Sequence, residues 1–418
     1  MPDAYVLGAF SLPFGKYPDT GFTELATAAL RGVLDDAGGT EIGREVEGVW
    51  FGNMMMDHWG QRSSRGQFCL MPAIEAGILP TRVAITNVEG ACATGSMAFQ
   101  GAVSGVRSGD HELTLAIGVE KIVRPDAPAS TVFEMYRGAE NSLDPGRTTA
   151  IYTDLLAGIG QRFCPGPGRT VFMDTYAAQA LHHMHRWGTT PEQLATVAAK
   201  NHNYAVNNPR AQYRFPMTVE QVLADRPVTP PLTRSMCAPV GDGAAAVLVA
   251  SAGFVARMPA SVRSRTVRVA ATTLTSGMYR DPGEPGLSAV AAGRAYRRAG
   301  LTPADIDVAE VHDATAFSEI YQTEMLGFCE PGRGGPLAES GETGPGGRIP
   351  VNTSGGLLSK GHPVAASGLS MITEIAVQLR GEAGARQVNG ARVGLVENGG
   401  GILGLEEAAC AVTVLQKA

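Results

Sequence analysis

Apolar residues recur every three or four positions in FTELATAALRGVLDDAGG, which starts at Phe22, so this stretch predicts an amphipathic helix ended by glycine. A short acidic linker follows, and then the apolar run VEGVWFG predicts a strand. The order helix, glycine stop, strand (residues 22 to 53) returns late in the chain. LSAVAAGRAYRRAGLTPADIDVAEVHDAT, residues 287 to 315, reads as a helix stopped at Gly300, a TPADID helix start and the strand VAEVHD.

Each copy continues alike. ITNVEGACATGSMAFQGAVSGVRSG leads to the strand ELTLAIGVE in the first, and VNTSGGLLSKGHPVAASGLSMITEIAVQLRG leads to RVGLVENGGG in the second. This internal repeat predicts an α/β protein of two duplicated βαβ halves, with mostly parallel sheets covered on both faces and a shared layer of helices between them. The site is then expected between the halves. Residues 123–235 break the rhythm with PDAPAS, FCPGPGR and NNPRAQYRFP, plus the helical stretches FMDTYAAQALHHMHRWG and TPEQLATVAAKNHNYAV. They predict an inserted loop or lid domain. VGDGAAAVLVAS, residues 240 to 251, reads as the last buried strand of the first half. The expected division is therefore 1–122 with 236–266, then 123–235, then 267–418.

Composition narrows the classes of function. The 418 residues are 44% hydrophobic and 18% charged, with a net charge of −6 spread without acidic or basic blocks, which gives no reason to expect nucleic acid as a partner. The 53 glycines follow no fibrous period. No apolar run is long enough for a bilayer crossing, and the start MPDAYVLGAFSLPFGKY lacks the pattern of a secretory signal. The six cysteines show no ligand spacing, so a reducing cytoplasm and no metal are expected.

One cysteine stands apart. Cys92 lies among Gly90, Ala91, Ala93 and Gly95, just before a helix whose apolar positions are Met97, Phe99, Ala102, Val103 and Val106. A helix amino terminus favours negative charge, lowers a thiol pKa and supplies oxyanion donors, and small neighbours admit a thioester. Cys92 is thus a candidate nucleophile, set against the plainer alternative of a small buried hydrophobe. A nucleophilic thiol needs a base, and His312 in EVHDA and His362 in KGHPVAASG occupy strand or loop ends in the second half. His182, His183 and His185 lack metal-ligand spacing and read as a solvated helix face.

SLPFGKY, EGACATGS, KNHNYAVNNP, SMCAPVGDGAAAVLVAS, EVHDAT and NTSGGLLSKGHPVAASG, in that order, make the sequence resemble the thiolase superfamily, in the branch of sterol-carrier-protein-type and archaeal thiolases. The resemblance covers essentially the whole chain. It implies a five-layered αβαβα sandwich, a homodimer and coenzyme A thioester chemistry, with coenzyme A as substrate. Cys92 matches the acylated nucleophile, His362 the histidine that activates it, and His312 the histidine of the oxyanion pocket, while Gly399 and Gly400 would approach the acyl carbonyl.

Two departures stand out. The family's second cysteine is missing, with Ala314 in HDAT and Glu397 and Asn398 in VENGGG where cysteine or histidine motifs are expected. Glu397 or His362 is then expected to protonate the leaving carbanion, or else Glu397 is a structural carboxylate. Arg210, Arg214, His202 and Asn201 are candidates for the coenzyme A phosphates, with a solvated surface as the alternative. The implied reaction is thiolysis of a 3-oxoacyl-CoA, on an aromatic or branched substrate such as benzoylsuccinyl-CoA or on a fatty acyl chain. A retro-aldolase and a non-catalytic lipid-binding subunit are the alternatives, and members of this branch often work with a small zinc-ribbon and OB-fold subunit.

Overall fold

The computed structural model describes residues 2–418 except 125, 129, 138–141 and 167, so parts of the PDAPAS and FCPGPGR stretches lie outside the described residues. Nine strands form the main sheet: β1 (Ala4–Ser11), β2 (Gly48–Gly52), β3 (Ala84–Val88), β4 (Leu113–Glu120), β5 (Gly243–Ser251), β6 (Val267–Ser276), β7 (Val308–Glu310), β8 (Val393–Gly400) and β9 (Ala409–Lys417). Their spatial order is β3-β2-β4-β5-β1-β6-β9-β8-β7. Within the sheet the two repeats pair at Tyr5↔Arg268 and Val6↔Val267, where β1 touches β6.

The expectation of mostly parallel sheets is corrected. Pairing is parallel at β2/β3, β2/β4 and β7/β8, and antiparallel elsewhere. The cause is connection length. A helix separates β2 from β3 and β3 from β4, whereas residues 401–408 between β8 and β9 are too few for a crossover and return the chain as a hairpin.

Seven helices place the layers: α1 (Phe22–Asp36), α2 (Arg65–Glu75), α3 (Thr94–Ser108), α4 (Val171–Trp187), α5 (Pro191–Ala205), α6 (Leu287–Ala299) and α7 (Val364–Arg380). Helix α1 presents Leu25, Ala29, Leu30, Val33 and Leu34 to the outer face of the first half. Helix α6 does the same in the second half with Leu287, Ala291, Ala292 and Ala295, and Gly300 ends it in the left-handed conformation (φ 69°). Between the halves lie α3 and α7. Phe99, Val103 and Val106 of α3 and Leu369, Ile372 and Ile375 of α7 share one core with Val247 of β5 and Val396 of β8. Each such fully buried side chain contributes about 1.5–3 kcal/mol. The result is helix, sheet, helix pair, sheet, helix.

The central pair crosses backbone against backbone. A Cβ at Gly95 would stand 2.7 Å from the Ala365 carbonyl oxygen, and one at Gly368 would stand 2.6 Å from the Ser96 nitrogen. Those two glycines bring the amino-terminal ends of α3 and α7 together. Cys92 precedes the first helix by two residues and His362 precedes the second by two. Among the described residues, no helix is long and apolar enough to cross a membrane.

Candidate active site

Cys92 sits in a 3-10 turn, Ala91–Ala93, that feeds directly into α3. Ala91 adopts φ 50°, a left-handed conformation that costs an L-residue roughly 1–2 kcal/mol. The turn is held by Thr94, whose hydroxyl accepts from Gly90 N–H (2.9 Å) and donates to the Ala91 carbonyl (2.6 Å), and by Glu89, which accepts from Ala91 N–H (2.7 Å). Gly400 at the end of β8 lies against this turn. A Cβ there would stand 2.3 Å from Ala93 N and 2.8 Å from Cys92 N, so only glycine fits. The neighbouring Gly399 faces the Glu407 side chain.

The Cys92 sulfur lies 3.2 Å from His362 Nε2, and His362 Nδ1 lies 2.7 Å from Ser367 Oγ. The Ser367 hydroxyl donates its single hydrogen to the Pro363 carbonyl (2.9 Å), so toward the imidazole it accepts. That places the imidazole proton on Nδ1 and leaves the Nε2 lone pair facing the thiol. Burial, then His312 and Lys360, push the His362 pKa well below its ordinary value. Burial pushes the Cys92 thiol up to about 12, with Glu89, Glu120 and Glu407 adding to the rise. This corrects the expectation of a thiol acidified by its helix: desolvation of the charge outweighs the amides of the turn, and the resting pair is neutral thiol and neutral imidazole. His362 Nε2 is placed to take the thiol proton.

His312 completes the cluster. Its ring meets His362 edge-on at 5.4 Å between centroids, and one donor atom from each of Cys92, His312 and His362 falls within 4.8 Å of the others. Both ring nitrogens of His312 are buried without a protein partner, and burial lowers its pKa to about 4. A neutral imidazole with a free N–H aimed into a closed site is a ready donor to a developing oxyanion.

Glu397 sits elsewhere than the sequence led us to expect. Its oxygens accept from His312 N–H (3.0 Å), Ser288 Oγ (3.2 Å) and Cys410 Sγ (3.4 Å), and it is completely buried. Burial, then the nearby Glu407, push its pKa up. The carboxyl thus carries the backbone of His312. Asn398, on the opposite face of the strand, points at Gly368 and Ser96.

The four expected coenzyme A contacts are dispersed. Asn201 is buried and donates to Asp313 (2.8 Å) and Glu319 (2.9 Å), and buried His202 lies 3.1 Å from Ser359 Oγ and stacks with Tyr213 and Phe215. Both are closed off from a phosphate because α5 packs inward through them. Arg210 rests over the Phe10 ring, and Arg214 is exposed. His183 is buried too, 2.9 Å from Thr189 Oγ1 and 3.2 Å from Glu324, rather than on a solvated face.

Several residues escaped the sequence. Ser367 is visible only as a serine one turn into the helix after GHP. Glu120, whose pKa burial raises to about 7, accepts from Asn53 Nδ2 and from the amides of Met54 and Met55. It fixes the backbone beside a hydrophobic cluster of Met55, Ile122, Met135 and Val364, against which Met54, Tyr136 and Cys92 pack.

Comparisons with known proteins agree with this geometry. The thiolase N-terminal domain model matches residues 4–229 and the thiolase C-terminal domain-like model matches residues 270–415. The chain belongs to the thiolase family. It is an acyltransferase of that family. It is similar to an acetyl-CoA acetyltransferase of Methanothermobacter thermautotrophicus, 37% identical over 406 residues, covering 96% of this chain and 97% of the relative. The benzoylsuccinyl-CoA thiolase subunit BbsB of Thauera aromatica is 29% identical, covering 92% of this chain and 91% of that protein. Among solved structures, the Ltp2-ChsH2(DUF35) aldolase superposes with a TM-score of 0.77 at 22% identity, covering 99% of this chain and 97% of that chain, a likeness of fold.

Proposed function

We propose that this thiolase-family chain cleaves or forms 3-oxoacyl-CoA thioesters through an acyl-Cys92 intermediate, with coenzyme A as co-substrate. The observation that carries this reading is the aligned set Cys92 Sγ, His362 and Ser367, with the unpaired His312 ring beside it. In the cleavage direction Cys92 gives its proton to His362 Nε2 as the sulfur attacks the 3-oxo carbon, and the oxyanion forms beside His312. The bond between C2 and C3 then breaks, an enolate leaves as acyl-CoA, and free coenzyme A takes the acyl group from the sulfur.

The acyl group is aromatic or branched in this reading, in keeping with the apolar side chains of Met54, Met135 and Tyr136 that cluster with Cys92. The likeness to BbsB points the same way. Segment 123–235 is the lid domain in this reading, and exposed Arg214 is offered as a phosphate contact.

The chain works as a homodimer in the cytoplasm. Strand β3 is an unpaired edge with exposed Ala84, Thr86 and Asn87, and α2 beside it exposes Phe68 and Met71. A small zinc-ribbon and OB-fold subunit is a further partner, in line with the two components of the Ltp2-ChsH2(DUF35) aldolase and with BbsB being a thiolase subunit.

The test is intact-protein mass spectrometry after incubation with acetyl-CoA, isobutyryl-CoA and benzoyl-CoA. An acyl-sized mass increment in the wild type, absent from Cys92→Ala, supports the reading. No increment from any of the three turns the weight to a carbon–carbon lyase, the activity named for the aldolase neighbour.

A further inference from the structure

We propose that Glu407 is the acid/base that exchanges a proton with C2 of the acyl-CoA, the role left open by the missing second cysteine. The proposal rests on the reading of the chain as a working thiolase. Its basis is the end of β8, where two successive glycines pack against different partners. A Cβ at Gly399 would stand 2.6 Å from Glu407 Cγ and 3.0 Å from its Oε1, while one at Gly400 would stand 2.8 Å from the Cys92 nitrogen. One peptide therefore separates the carboxyl from the nucleophile's turn.

Gln322 Nε2 donates to Glu407 Oε1 (3.0 Å) and fixes its rotamer. Tyr176 interacts electrostatically with both the Cys92 sulfur and the Glu407 carboxyl, and the charge of Glu407 reaches Cys92 itself. Glu397 has no such freedom, since the His312 amide, Ser288 and Cys410 enclose it.

Glu407 also borders open space, on the side away from Glu397. It is half-buried and lines a small pocket with Tyr176, Ser318 and Gln322. That pocket shares Gln179, Phe317, Tyr321 and Leu405 with a cleft of about 390 Å³. Burial, then the adjacent Glu406, raise its pKa, so the group holds a proton closer to neutrality than an ordinary carboxylate.

The protons balance. Cys92 passes its proton to His362, the sulfur bonds to C3, and the C2–C3 bond breaks with its electron pair going to C2. Protonated Glu407 gives its proton to C2 and becomes a carboxylate. It then takes the thiol proton of the incoming coenzyme A as that sulfur bonds to the acyl carbon. The Cys92 thiolate released in this step recovers its proton from His362.

The experiment separates acylation from enolate chemistry: acylation uses p-nitrophenyl acetate, whose leaving group departs as an anion and needs no proton from Glu407, and enolisation uses acetyl-CoA. Acylation is followed as the mass increment on Cys92, and enolisation as deuterium uptake at C2 in D2O by mass spectrometry. In Glu407→Gln the uptake should fall at least ~100-fold while acylation stays within about threefold of wild type, and Glu407→Asp should recover part of the exchange. Unchanged uptake in Glu407→Gln, or loss of acylation and exchange together in both variants, overturns the proposal. Absence of the acyl increment in the wild type overturns the functional reading on which it rests.

Discussion

His362 reaches Cys92 from the other half of the chain: its Nε2 lies 3.2 Å from a sulfur 270 positions earlier in sequence. Because Ser367 binds Nδ1, the lone pair faces the thiol before any substrate arrives. Ser367→Ala removes that restraint and frees the ring to adopt the other tautomer. The acylation rate, measured by rapid quench and mass spectrometry, should drop ~10–100-fold with little change in thermal midpoint. A rate equal to wild type would show that the imidazole needs no such hold.

The neutral resting pair has its own signature. With the thiol pushed up to about 12, the thiolate is the minor form at neutral pH and its fraction grows as pH rises. Alkylation of Cys92 by iodoacetamide, corrected with Cys92→Ala, should therefore climb roughly tenfold per pH unit through the neutral and mildly alkaline range. A plateau near the ordinary thiol pKa would contradict the dominance of burial.

His312 is the donor without a partner, so its loss should be felt mainly in the charged transition states. His312→Ala should lower the rate of thiolysis by about 10²–10³, the cost of removing one oxyanion donor. Steady-state kinetics with acetoacetyl-CoA and coenzyme A would check it, and an effect confined to KM would assign the ring to substrate binding instead.

Gly400 supports the nucleophile by being small. Gly400→Ala forces a methyl group into the amides of Cys92 and Ala93, and should cost about 1–3 kcal/mol of stability in denaturant unfolding together with most of the acylation. Wild-type behaviour in both would mean that the turn can move aside.

The open edge of β3 leads to a last expectation. Phe68→Lys with Met71→Lys adds charge beside that edge and should shift the proposed homodimer toward monomer in sedimentation velocity, without altering the secondary structure seen by circular dichroism. A monomeric wild type would set the dimer aside.

Much of this molecule is written locally. The 3.6-residue period of Leu25, Ala29 and Val33, the stop at Gly300 and the repeat of helix and strand are properties of neighbouring residues, so they could be found before any contact was known. Cys92 and His362 were legible for the same reason, each lying just ahead of a helix rich in small residues. The sequence by itself thus determined the repeated helix and strand pattern and the residue types that meet at the proposed site. Tertiary structure decided the rest, because it depends on what is far away in the chain. The antiparallel return of β9 follows from a short loop, and the role of Glu397 from where the His312 amide happens to point. The inward turn of Asn201 and His202 follows from the packing of α5, and the high thiol pKa from burial that no local motif records. Burial and long-range pairing set the protonation of a site, and neither is a property of any short stretch of residues.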